Sequence, residues 1–209
     1  AWGQNEAYPA DEAAPAGDPK GAIILVSVKG VKVQVNGKLD ADGKATGPFL
    51  PAAQVVAGAT IFDGHTVHVD KAKGSTAILL FSNGTVTTLK PDSVLNVRVF
   101  TQAKFKASDK KLSELEEEPS ASTTEINLNF GDMVVDIKKL TPNKSKFDIV
   151  SSVGTAGIRG TTVSLGVRPR PGGGWNSNLV VPKGLISFSP PPPPPPPGAP
   201  PDAPPPAAP

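Results

Sequence analysis

The side chains able to do acid–base, nucleophilic or metal chemistry are few and badly spaced for it. His65 and His68 are the only histidines, in Asp63-Gly64-His65-Thr66-Val67-His68-Val69-Asp70. On an extended strand, residues three apart point to opposite faces, so the two imidazoles cannot share one metal ion. Asp63 with His65, and His68 with Asp70, have matching parity, but two ligands are fewer than a zinc site takes. Cysteine is absent, which removes disulfides, thiol nucleophiles and thiolate metal sites together. No Gly-x-Ser-x-Gly elbow signals a Ser-His-Asp hydrolase. Gly172-Gly173-Gly174 runs into Trp175-Asn176-Ser177 instead of Lys-Ser/Thr, which excludes a nucleotide P-loop. The acidic run at 114–118 reads as a solvated segment. These readings predict no catalytic residue, no cofactor and no metal site. Trp175 is different: on a glycine-hinged loop it either folds back over the core or stands out to anchor a partner or stack on a sugar.

The elements that must position such residues are strands. Ile23–Val28 is a continuous apolar run, and Val31, Val33 and Val35 alternate with Lys32, Gln34 and Asn36, a period of two with one wet face. Asn36-Gly37 and Asn83-Gly84 supply the positive φ of tight turns. Thr60–Phe62, Thr66–Asp70, Thr76–Phe81, Thr85–Leu89 and Val94–Phe100 follow as strands. Both parities of Thr76–Phe81 are apolar, which predicts a strand covered on both faces. Residues 107–119 form a charged excursion, with Ser108 available to cap a short helix through Leu112 and Leu115. Ile126, Leu128 and Phe130 resume the alternation, and Gly131-Asp132 reads as a turn into a further strand, Met133–Ile137. Lys146–Ser151 and Thr161–Val167 are strands, 168–178 is a loop, and Leu179–Val181 with Leu185–Phe188 can close the sheet. Brief strands, frequent turns and almost no helix predict an all-β single domain, sandwich-like or twisted and solenoid-like.

Composition bounds the rest. Ala, Pro and Gly crowd both ends, so the core is expected within 21–188, after a disordered leader (1–20) and before a proline-rich tail (189–209). Pro190–Pro197 favours polyproline II at about 3.1 Å per residue, a stiff spacer of roughly 25 Å. With 21 basic and 19 acidic residues the charge is too balanced to imply nucleic acid or an anionic membrane. No apolar run approaches the ~20 residues of a membrane helix. The only methionine is Met133, which makes a removed N-terminal piece, such as a signal peptide, the expectation.

Two stretches together resemble the FecR domain, a bacterial family named for the regulator of iron-dicitrate uptake. The first is Ala57-Gly58-Ala59-Thr60-Ile61, then Thr76 through Asn83-Gly84-Thr85, leading to Leu89-Lys90-Pro91-Asp92-Ser93. The second runs from Leu128-Asn129-Phe130-Gly131 through Phe147–Ser151 to Val153-Gly154-Thr155-Ala156-Gly157-Ile158-Arg159-Gly160-Thr161-Thr162. The match spans about 55–167, and Ala156–Thr162 is similar to the family's apolar-Arg-Gly-Thr signature. Within it, Gly157 and Gly160 permit close approach or positive φ. Arg159, between Ile158 and Thr161, has five donors for orphan carbonyls at a strand corner, the role of a structural clamp. The resemblance implies an exported, periplasmic or secreted, non-enzymatic module that binds a protein or an envelope polymer. Two alternatives stand beside it: the periplasmic part of a transmembrane anti-sigma relay, and an enzyme acting on envelope polysaccharide. Recognition is expected from loops 105–124 and 168–178.

Overall fold

A computed structural model describes residues 19–35, 46–106, 110–182, 184 and 186–191 of the chain. The Asn36-Gly37 turn, the cap expected at Ser108, Leu185, nearly all of the leader and most of the proline tail lie outside the described residues. Within them the chain is all-β. The strands are β1 (Ile23–Lys29), β2 (Val31–Gln34), β3 (Thr60–Ile61), β4 (Thr66–Val69), β5 (Thr76–Phe81), β6 (Val86–Leu89) and β7 (Ser93–Gln102). After them come β8 (Ser122–Asp136), β9 (Lys146–Ser151), β10 (Gly154–Ile158), β11 (Thr162–Pro169), β12 (Trp175–Val180) and β13 (Ile186–Ser189).

Residues 131–136 continue 122–130 as one strand, and this organises the molecule. The Gly131-Asp132 turn expected from sequence is instead a bend inside β8: Gly131 takes φ 112° and the strand carries on. The first part of β8 pairs with β7 and β9, the second with β6 and β11. Two half-sheets result, ordered β2-β4-β7-β8-β9-β10-β13 and β3-β1-β5-β6-β8-β11-β12, joined through β8. All pairings are antiparallel except β8 with β9. A stack of parallel solenoid coils is therefore not the arrangement; the sandwich-like alternative is.

Neighbouring segments bend along the same line. β1 passes into β2 at Gly30 (φ 63°), β4 into β5 by way of Gly74 (φ 83°), and β6 into β7 at Asp92 (φ 59°). Strands that change sheets at bends are the usual way to make a corner between two packed layers. Backbone bonds stitch the crease: Asp70 N–H to Gly30 O (2.8 Å), Asp92 N–H to Asp70 O (3.2 Å) and Lys90 N–H to Asp132 O (2.9 Å).

The halves then face each other across one apolar core. Leu25, Leu79, Phe81, Met133 and Leu165 come from one half, and Val67, Leu95, Phe100, Ile126 and Ile149 from the other. Phe81 meets Phe100 edge-on across the gap, with ring centroids 5.1 Å apart. In β5 only Ala77, Leu79 and Phe81 are fully buried, while Ile78 and Leu80 are partly exposed on the outer face. The expectation that both faces of this strand are covered is thus corrected, because nothing described is layered over the outside of its half-sheet. The edge opposite the crease is polar. Ser82 Oγ donates to Gln102 Oε1 (2.6 Å) and Asn83 Nδ2 to Ser122 Oγ (3.1 Å), joining the β5–β6 hairpin to the ends of β7 and β8.

A methyl group at residue 131 would sit 2.4 Å from Ser93 Cα and 2.2 Å from Ser93 Oγ, in a backbone region L-residues avoid. Gly131→Ala is expected to lose about 3 kcal/mol or more, a fall of roughly 6–12 °C in Tm. Gly172 also has positive φ but open space around it, so Gly172→Ala should cost only about 1 kcal/mol. Thermal denaturation of the two variants checks the contrast.

Candidate functional site

The segment that carries the family resemblance is the crossover from β10 to β11. Gly160 (φ 73°) lets it turn against the 138–139 backbone, where a Cβ would lie 2.8 Å from Lys139 Cα. Thr161 O accepts the Ile137 N–H (3.1 Å), which docks the crossover beside the end of β8. Gly157 lies against β13, where a Cβ would meet Ser187 Oγ at 2.7 Å. Ile158 points into the core.

Arg159 is exposed, and among the described residues its guanidinium has no hydrogen-bond partner. The clamp expected of it is found at Arg168, on β11. There Nη2 donates to Asp132 Oδ2 (2.7 Å), and Nη1 donates to the Asp92 carbonyl (3.0 Å) and carboxylate. One planar fork thus ties β11 to two adjacent corners of the crease. The hydrogen bond to Asp132 and then the neighbouring carboxylate charges raise the pKa of Arg168, against some desolvation, so it stays charged. Asp92, a non-glycine residue at positive φ, is held there by the same contacts.

Beside Gly160–Thr162 lies an open groove of about 640 Å³, with Glu114, Leu115 and Glu116 on one wall and Asp136, Lys138 and Lys139 on the other. Thr162 Oγ1 donates to Asp136 Oδ1 (2.9 Å), and Lys138 Nζ approaches Asp136 Oδ2 (3.4 Å). Lys139 pairs with Glu117 at 2.5 Å, and this hydrogen bond and charge hold its pKa above the usual lysine value. The groove therefore offers charges of both signs, most of them paired with each other or with flanking Lys111 and Glu117, and suits a ligand that hydrogen-bonds more than one that neutralises a net charge. Glu118, close by in sequence but outside the groove lining, is a buried carboxylate, unlike the solvated acidic run that the sequence predicts there. Glu118 accepts from Thr141 N–H (2.6 Å), Ser122 Oγ (2.7 Å) and Ser145 Oγ. No local signal separates it from its neighbours; the difference is the return loop that folds over it.

The two histidines have separate partners, and His65 precedes β4 instead of sharing its strand with His68. His68 bonds to Gln34 Oε1 (2.7 Å) and stacks obliquely on Phe49, with centroids 5.3 Å apart. Burial, and secondarily the charge on Lys32, lowers its pKa, so the neutral imidazole is the folded form. His65 bonds locally to the Phe62 backbone. Among the described residues no group of three or more His, Asp or Glu gathers within reach of one metal ion. Trp175, at the start of β12, is 37% exposed, partly covered by the protein and partly open. The 168–178 loop is shorter than expected: β11 runs to Pro169 and β12 begins at Trp175, leaving a turn whose three glycines all have positive φ.

Comparison of the chain with protein-family models, with curated proteins and with solved structures finds no match.

The geometry assigns different roles to the two arginines. Arg168→Lys keeps the charge but loses the fork, and with a partly exposed site should cost about 1 kcal/mol. Arg159→Lys should leave Tm within error of wild type. Melting curves of both variants decide it, and the reverse order would return the clamp to Arg159.

Proposed function

We propose that the chain is a non-enzymatic, extracytoplasmic interaction or scaffold module of the FecR-like type, which binds a protein or an envelope polymer. The observation that supports this most is the meeting, in one groove, of the Gly160–Thr162 signature with Glu114–Glu116 from the 105–124 excursion. Both were singled out in the sequence for separate reasons, and the fold brings them together on an accessible surface. The groove walls present hydroxyl, carboxylate and ammonium groups without an imidazole or thiol among them. Such a surface recognises by hydrogen bonding and shape. Among the described residues no helix is long and apolar enough to cross a membrane.

The test uses the immobilised chain against two fractions, solubilised envelope proteins and purified peptidoglycan. Saturable retention from one fraction is expected, weakened roughly tenfold, about 1.4 kcal/mol, by Glu116→Lys at the groove wall. Retention from neither fraction, or release of soluble sugar fragments from the polymer, would overturn the reading.

A further inference from the structure

The hairpin of β11 and β12 has its hydrogen-bonding parity fixed at two points. Arg170 N–H donates to Gly174 O (2.9 Å), which makes 170 and 174 a bonded pair. The register continues with Pro169 opposite Trp175, Arg168 opposite Asn176, Val167 opposite Ser177, Gly166 opposite Asn178 and Leu165 opposite Leu179. Bonded and non-bonded pairs alternate in an antiparallel ladder. Asn176, Asn178 and Val180 therefore turn their N–H and C=O groups to β11, while Trp175, Ser177 and Leu179 turn theirs outward. Pro169, which has no N–H, falls at a non-bonded position, as this parity requires. The Ile137 N–H bond to Thr161 O gives the same answer from the far side, since it directs Val163, Leu165 and Val167 to β8.

Other edges of the folded sheet are blunted. β2 is covered by residues 48–50, through Leu50 N–H to Val33 O (2.7 Å) and Val35 N–H to Pro48 O (2.9 Å). β3 has only two residues, and β13 runs into Pro190 and Pro191. β12 has six residues, no charge, no proline and, among the described residues, no neighbour beyond β11. Soluble proteins rarely leave such an edge unguarded.

Two aromatic side chains on the edge strands β12 and β13 are also partly exposed. Phe188 lies opposite Ala156 on the inward face of its half-sheet, yet is 49% exposed. Trp175, in line with Ser177 and Leu179 on the inward face of the other half, is 37% exposed. These are core-facing aromatics with nothing described across their outer side.

We propose that β12 is a homotypic docking edge: two copies of the chain join antiparallel through Trp175–Leu179, with Ser177 opposite Ser177 of the second copy on a two-fold axis. The occupant is argued from the pattern Trp-Asn-Ser-Asn-Leu, which is symmetric in character about Ser177. In that register each outward-facing residue meets an outward-facing one, for about six backbone hydrogen bonds. Each Trp175 faces Leu179 of the second copy on the inward face, and Asn176 faces Asn178 on the outer face. An isologous contact of this kind closes on itself and leaves the groove at Gly160–Thr162 unused. The inference does not rest on the function proposed above.

Sedimentation equilibrium of the full chain from low micromolar to near-millimolar concentration tests it. A reversible monomer–dimer equilibrium is expected. Ser177→Pro removes an outward N–H and should raise the dimer dissociation constant at least about a hundredfold, with the strand circular dichroism and Tm of wild type. Asn176→Pro removes an N–H turned to β11 and should instead lower Tm. A monomer at every concentration, or a dimer that survives Ser177→Pro, would overturn the proposal.

Discussion

The structure depends on the reach of the chain between β8 and β9. Lys146 pairs in parallel with Thr123, near the start of β8, yet it follows the end of that strand at Asp136 by only the segment 137–145. A straight strand would place Asp136 about 43 Å from Thr123, whereas the ten steps from Asp136 to Lys146 span at most about 36 Å. The observed register can be connected only if β8 folds back. Parallel neighbours ordinarily need a longer crossover; here the bend at Gly131 replaces it.

Once β8 is bent, its partners must bend with it or part from one half. Gly30, Gly74 and Asp92 supply the neighbouring corners, and Arg168 fastens the last of these to Asp132. The return segment 137–145 comes to lie over the approach to β8, which buries Glu118 and gives it backbone and hydroxyl donors from that segment. The groove at Gly160–Thr162 is a product of the same closure, since its two walls belong to chain segments brought together only by the fold-back. Fold and candidate site therefore rest on one feature, and among the described residues β12 is the edge where that closure stops.

Much of this was legible locally. Thr76–Phe81 and Lys146–Ser151 form strands with the boundaries their patterns predict, and Asn83-Gly84 turns a hairpin between β5 and β6. These signals are short-range: alternation, branching and a residue that accepts positive φ. What sequence could not convey was how a glycine between two alternating runs would be used. At Gly131 a hairpin turn and a bend within one strand look alike, and the choice depends on which strands flank both parts. β10, Gly-Thr-Ala-Gly-Ile, has weak intrinsic strand preference and exists because β9 and β13 hold it on either side. β12 is similar, with Asn-Ser-Asn at its centre. The sequence points to Arg159 as the clamp, whereas the contacts are made by Arg168, because the carbonyls and carboxylates it satisfies come from corners more than 30 residues away.

Native-state hydrogen exchange of the crease amides of Asp70, Lys90 and Asp132 tests the account most directly. The first two donate to backbone carbonyls across the crease, and Asp132 donates to Ser93 Oγ at 3.0 Å. If the folded-back β8 is the constraint on which the rest is built, these amides exchange only through global unfolding, at the same free energy as those of Leu79 and Leu128 in the core strands. Exchange at a free energy well below that of the core, with the two half-sheets still protected, would mean that the halves hold together without the crease and would contradict the account.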